Sequence, residues 1–234
     1  MKKGTMKFIL NATIDTLPHN SNLKKWGKSP SDRCPLPGCN MKQTTLHILS
    51  GCPVSLNQGR WTWRHDNILA YIVQCLDKTR FEVYVDLPGY QNNSGGTIPL
   101  ETGVISGDRP DICILDRKQK SFHVWELTSP YETNIQTAHQ GKERKYAYFL
   151  TDVTNFTPSV NCFEVAARGF VSKENHERLR NLHKFCYKNI KLKTFIQNIS
   201  SLAVNSSFFL FISRKDHIWC DPPTLSPLFS TAPQ

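Results

Sequence analysis

Asp111, Glu126 and Lys142 are the residues of this 234-residue chain whose types and spacing suit catalysis. Asp111 follows Asp108-Arg109-Pro110 and opens the run Ile112-Cys113-Ile114-Leu115, while Glu126 ends the run Phe122-His123-Val124-Trp125. Both runs carry β-branched and aromatic residues over a strand's length, and the polar stretch between them is of hairpin length. Two antiparallel strands are therefore predicted. Such neighbours lie about 5 Å apart, so the pairing can bring the two carboxylates close. Carboxylates at that distance are costly unless a cation lies between them, and hard oxygen donors with open water positions suit magnesium, Mg2+.

Residues 131–150 read as a helix on which Ile135, Ala138, Tyr146 and Phe149 share one face. Lys142 falls in the middle of that face and Lys145 at its edge. A lysine on an apolar stripe either snorkels or meets a carboxylate, and Asp111 with Glu126 would be such a partner.

A second chemical set lies upstream. Cys34, Cys39, His47 and Cys52 have four, seven and four residues between successive members. Three thiols and an imidazole at this spacing suit a closed structural zinc site, with Pro35, Pro37 and Gly38 shaping the turn between the first two. So short a segment has little core of its own, so Zn2+ would supply its folding energy. The alternative is three unconnected core cysteines and a surface histidine.

The formal charge of +10 points to an anionic partner, nucleic acid being the commonest for a basic domain, unless it is an incidentally basic surface. Eight cysteines without a secretory leader argue for thiols and metal ligands rather than disulfides. No apolar run approaches a membrane span in this reading. Gly-rich phosphate loops and nucleophile elbows are also missing, which removes several other enzyme classes.

After the zinc set, Ile68, Leu69, Ile72, Val73 and Leu76 recur at helical spacing from Arg60 onward. Arg60 and Arg64 are one turn apart on this helix: either they bind phosphate as a pair, or they belong to a solvated face beside a Trp anchor. Arg109, next to the catalytic candidates, is the third phosphate-binding candidate. Residues 80–87 and 160–166 read as strands, and residues 88–107 as a loop that touches substrate or is merely an insertion. One long helix is predicted from Ser172 or Lys173 to about Ile199. Residues 207–212 read as a last helical turn or a strand. Lys184, Lys188, Lys191 and Lys193 form a solvated face or lie along a DNA backbone. The Pro- and Ser-rich tail has no core-forming pattern.

Pro110-Asp111, a Glu on the following strand and a lysine form the constellation of the PD-(D/E)xK nuclease superfamily. Its usual lysine position, two residues after the acid, is Thr128 here. One branch shares that departure: the restriction-like endonuclease of site-specific non-LTR retrotransposons, in which the lysine is displaced onto the next helix near a Lys-Tyr pair such as Lys145-Tyr146. The chain resembles that branch. The string from Thr44 to Cys52 also matches the family's CCHC zinc knuckle, although four residues separate Cys34 from Cys39 where two are common. Arg64-His65-Asp66 is similar to a run that follows the knuckle. Ala12-Thr13-Ile14-Asp15-Thr16-Leu17-Pro18, with Leu23-Lys24-Lys25-Trp26, resembles the segment joining a reverse transcriptase to its knuckle.

The resemblance implies an α/β (α+β) fold with a restriction-endonuclease-like core, a mixed sheet flanked by helices. It divides the chain into a leader from a missing polymerase (1–31), the knuckle (32–58), the endonuclease (59–213) and a disordered tail (214–234). Asp111 and Glu126 would hold magnesium, Lys142 or Lys145 would act on the water or the developing charge, and Tyr146 would help position them. The implied activity is nicking of DNA to prime reverse transcription in the nucleus. DNA is the partner, element RNA a further candidate, and a reverse transcriptase domain is expected in a full-length element. Two rivals are a nucleic-acid-binding module without catalysis and a zinc-stabilised protein-interaction domain.

Overall fold

Period-two alternation decides how the central sheet is covered. The computed structural model describes residues 3–223. Helices α1 (Lys3–Thr13) and α2 (Asn20–Lys25) precede the cysteine-rich segment, which is followed by α3 (Pro53–Asn57) and α4 (Arg60–Cys75). Strands β1 (Glu82–Val85), β2 (Ile112–Asp116) and β3 (Ser121–Thr128) come next, then α5 (Ile135–Tyr146), the short α6 (Phe149–Asp152), β4 (Thr157–Glu164), α7 (Lys173–His183) and α8 (Leu192–Ile212). The strands form one mixed sheet in the order β1-β2-β3-β4, antiparallel except for the parallel pair β3 and β4.

Ile112 and Ile114 of β2, Trp125 and Leu127 of β3 and Phe163 of β4 face one way, packing on Ile68, Leu69 and Ile72 of α4, Leu179 and Leu182 of α7, and Phe195 and Ile199 of α8. The intervening residues Cys113, Leu115, Phe122 and Val124 face the other way, against Tyr146 and Phe149. Successive side chains of a strand point to opposite faces, so the parity that buries Phe122 and Val124 also turns Glu126 toward α5. The β2–β3 register pairs Ile112 with Trp125, and one step further along it Asp111 lies opposite Glu126.

The long helix expected over residues 172–199 is two helices. No glycine or proline breaks it; tertiary pairing does. Cys186 bridges Leu76, Tyr187 N–H donates to Cys75 O at 3.0 Å, and Asp77 N–H donates to Phe185 O at 2.9 Å. These bonds satisfy the backbone between α7 and α8 without helical ones. Lys184, Lys188, Lys191 and Lys193 thus lie exposed around a helix–helix connection rather than along one face. The predicted helix over residues 131–150 likewise ends at Tyr146, with Phe149 opening α6.

Residues 207–212 are the last turns of α8. By length and composition this helix could cross a membrane, against the expectation that no apolar run approaches such a span, and half of its most apolar stretch is buried inside the protein. It is the core helix against which α4, α1 and α7 pack. Phe8 of α1 meets Phe208 and Phe211 at ring separations of 5.5 Å, and Ile48 and Leu49 join the same cluster. The beginning of the expected disordered tail is also docked: Trp219 packs on Trp63 and Phe209, and Trp63 Nε1 donates to Pro222 O at 2.9 Å. The remainder of that expectation, residues 224–234, lies outside the described residues.

Candidate metal centre and catalytic site

Cys34 and Cys39 sit on a small hairpin whose flanks pair as Arg33 with Lys42, with Cys34 N–H donating to Met41 O at 2.8 Å. Gly38, at a φ of 83°, supplies the left-handed residue that lets the wider four-residue loop close. His47 begins a π-helical turn, His47–Gly51, and Cys52 follows it directly. The i to i+5 repeat of such a turn brings His47 and Cys52 round to the same side.

All four candidate ligands are buried, and their donor atoms lie within 4.8 Å of one another. Cys52 Sγ is 3.8 Å from Cys39 Sγ, and Cys39 Sγ is 3.5 Å from His47 Nε2. Tetrahedral zinc with its usual bond lengths places two sulfurs about 3.8 Å apart and a sulfur about 3.5 Å from a nitrogen. The group can therefore hold a metal ion such as zinc. Burial and the neighbouring thiols push the Cys34 thiol up to about 12. Burial also raises Cys52, but donors from Ser55 and the Val54 amide outweigh it and hold that thiol below its ordinary value. Burial lowers His47, favouring the neutral imidazole that metals bind.

The second site stands where β2 begins and β3 ends. The carboxylates clamp each other's strands: Glu126 Oε2 accepts the Asp111 N–H at 3.1 Å, and Asp111 Oδ2 accepts the Leu127 N–H at 2.7 Å. Glu126 Oε1 receives the ammonium of Lys142, which reaches down from α5. Burial, and then the charge of Asp111, raise Glu126 above the usual carboxylate range. Burial opposes the charge on Lys142, but Glu126 outweighs it and the net shift is upward. Asp111, Glu126 and Lys142 are thus brought together, from the entry to β2, from β3 and from α5.

Asp111 has a further partner. His65 of α4 places Nε2 at 3.1 Å from Asp111 Oδ2 and Nδ1 at 3.0 Å from Asp66 Oδ1. Burial works against a charge on this ring, but the two carboxylates prevail and raise it to about 10, the imidazolium form. The sequence named the Arg64-His65-Asp66 run without a role for it. A polar ring three residues before Ile68 and four before Leu69, on the buried face of an amphipathic helix, was the available signal. One turn before Lys142, His139 Nδ1 meets Glu164 Oε1 at 2.9 Å, and Arg178 reaches His139 Nε2 at 2.9 Å. This cluster ties α5 to β4 and α7, and so fixes the helix that carries Lys142.

Arg60 and Arg64 are not a phosphate-binding pair. Each is 2% exposed. Arg60 donates to Gln58 Oε1 at 2.7 Å, Ser213 O at 2.8 Å and Asp216 O at 2.5 Å; Arg64 donates to Leu49 O at 2.9 Å, Ser207 Oγ at 3.3 Å and Ser129 O at 2.6 Å. They fasten the knuckle, α8, its following turn and the exit of β3 together. Arg64→Leu is expected to lower unfolding stability by about 3 kcal/mol or more, since it strands buried carbonyls, while leaving the slope of log affinity against log salt for DNA unchanged. Urea denaturation and a salt titration check the two halves separately.

Arg109 is exposed and paired with Asp86, close to the carboxylates. Lys145 pairs with Asp108 at 3.3 Å rather than with either carboxylate of the cluster, and its Nζ lies 3.0 Å from the Tyr146 hydroxyl. Tyr146 is buried, and burial together with the charges of Glu126 and Asp111 keeps its phenol protonated. The loop over residues 88–107 lines a cavity of about 530 Å³ that reaches Asp108 and Arg109.

The fold and sites define a mixed α/β protein, a four-stranded mixed sheet flanked by helices, with a Cys3His group that could hold a metal ion and a cluster of buried Asp111 and Glu126 with half-buried Lys142. No protein-family profile and no curated protein matches the chain significantly.

Proposed function

We propose that this protein is a magnesium-dependent DNA endonuclease of the PD-(D/E)xK kind, carrying a structural zinc knuckle and serving a retrotransposon by nicking target DNA in the nucleus. The observation that carries this reading is the meeting of Asp111, at the entry to β2, with Glu126 of β3 and Lys142 of α5. The sheet with helices on both faces is compatible with a restriction-endonuclease-like core. Carboxylate oxygens are the donors magnesium takes, and among the described residues Asp111 Oδ1 accepts no hydrogen bond, whereas both oxygens of Glu126 are engaged, by the Asp111 N–H and by Lys142. When bound, that ion supplies a more acidic water and offsets charge on the scissile phosphate.

The protein's own groups do the rest. His65 and the Leu127 amide fix the rotamer of Asp111. Lys142, held by Glu126, stands where it can donate to the attacking water or to the developing phosphate charge. Arg109, exposed beside them, reaches for a neighbouring phosphate.

The test is supercoiled plasmid incubated with zinc-loaded protein and magnesium, beside Asp111→Ala. Open-circular product is expected from the first and none from the second. Equal product from both, or from neither, overturns the proposal. One observation favours the rival binding module: each carboxylate already has a cationic partner, His65 or Lys142. That module would bind DNA with steep salt dependence and produce no nick.

A further inference from the structure

A groove of about 520 Å³ opens between the knuckle's π turn, the start of α4, the exit of β3 and the start of α5. Neither the zinc site nor the Asp-Glu-Lys cluster uses it. Its wall carries two half-buried aromatic side chains, Trp61 and Tyr131. The Arg168 guanidinium stands 5.0 Å from the Tyr131 ring. The exposed polar side chains of Asn134 and Thr137 line it as well. Mostly apolar walls with a few convergent donors and acceptors are the usual character of a small-ligand site, and the volume falls in the usual range.

The position narrows the occupant. One end of the groove is His65, whose Nε2 is 3.1 Å from Asp111, and Thr128 lies two residues beyond Glu126 on the same strand. Aromatic rings offer a flat face, and the Asn134 amide and Thr137 hydroxyl an edge, which together match a nucleobase. A strongly basic chain favours its phosphodiester. A base inside a duplex cannot enter such a groove without leaving its stack.

We infer that this groove takes one unpaired nucleotide of a DNA strand, adjoining the phosphate presented to Asp111 and Glu126. The substrate is then a locally opened strand rather than intact duplex. This rests on the endonuclease reading for the identity of the neighbouring phosphate, but binding in the groove is measurable without catalysis.

The zinc-loaded full chain, without magnesium, is titrated with a short thymine strand carrying 2-aminopurine at its centre, and with the same strand paired to its complement. Stacking should quench the 2-aminopurine emission of the single strand. Tyr131→Ala should relieve the quenching and lower the ratio of single-strand to duplex affinity about tenfold, as loss of one stacking partner does. Ala138→Leu, which fills the groove from α5 and removes no ring, should do the same and guards against a misfolded Tyr131 variant. No quenching by the parent protein, or quenching and affinity ratio unchanged in Ala138→Leu, overturns the inference. Plasmid nicking measured in parallel separates the two ideas. Quenching without nicking sinks the endonuclease reading and keeps the groove, whereas nicking without quenching does the reverse.

Discussion

Protein purified without chelator is expected to carry one zinc ion per chain, and removing it is expected to lower the thermal midpoint by about 10 °C or more. The knuckle has little apolar core beyond its own ligands: Leu36, Val54 and Trp61 are its main neighbours. A zinc ion is therefore expected to hold Cys34, Cys39, His47 and Cys52 together. The consequence spreads because the knuckle is not an appendage. Leu49 O is an acceptor for the buried Arg64, and Ile48 and Leu49 belong to the cluster that joins α1, α4 and α8. Cys39→Ser should reproduce the loss, since a hydroxyl is a poor replacement for a thiolate on zinc. Elemental analysis with a thermal melt measures both effects. A zinc-free parent protein, or a Cys39→Ser variant with full zinc and an unchanged midpoint, contradicts the knuckle assignment.

Where the candidate residues would meet was legible in the sequence wherever it depended on local pattern. Alternation in residues 112–116 and 121–128 located the hairpin, and the hairpin register then placed Asp111 opposite Glu126. The spacing of the three cysteines and His47 located a group whose donor atoms do converge. Lys142 stood out because its place on a helix face conflicted with its charge.

Features that depend on distant segments were not legible. Arg60 and Arg64 have the one-turn spacing of a phosphate pair, yet their acceptors include Ser213, Asp216, Ser207 and Ser129, far along the chain. Helical spacing says which residues share a face, not whether that face meets solvent or carbonyl oxygens. The break between α7 and α8 is similar: its cause is a bridge from Cys186 to Leu76, with no breaker residue to announce it. His65 was noticed but unassigned, because its contact with Asp111 forms only when α4 packs against the end of the sheet.

Lys142 gives the most direct test of the catalytic cluster. Its ammonium is held by Glu126 beside Asp111, whereas Lys145 is committed to Asp108 and Tyr146. If Lys142 acts at the reacting centre, Lys142→Ala should lower the single-turnover rate of magnesium-dependent nicking about a hundredfold or more. DNA affinity should change by no more than about twofold, because one phosphate contact among many contributes little. Lys145→Ala should leave most of the rate. The decisive measurement is the single-turnover nicking rate, paired with DNA affinity, for the parent protein and these two variants. A large loss of rate confined to Lys142→Ala, at nearly constant affinity, is expected. Equal losses of rate and affinity in Lys142→Ala, or a rate loss that follows Lys145 instead, would contradict a catalytic role for the Asp111–Glu126–Lys142 cluster.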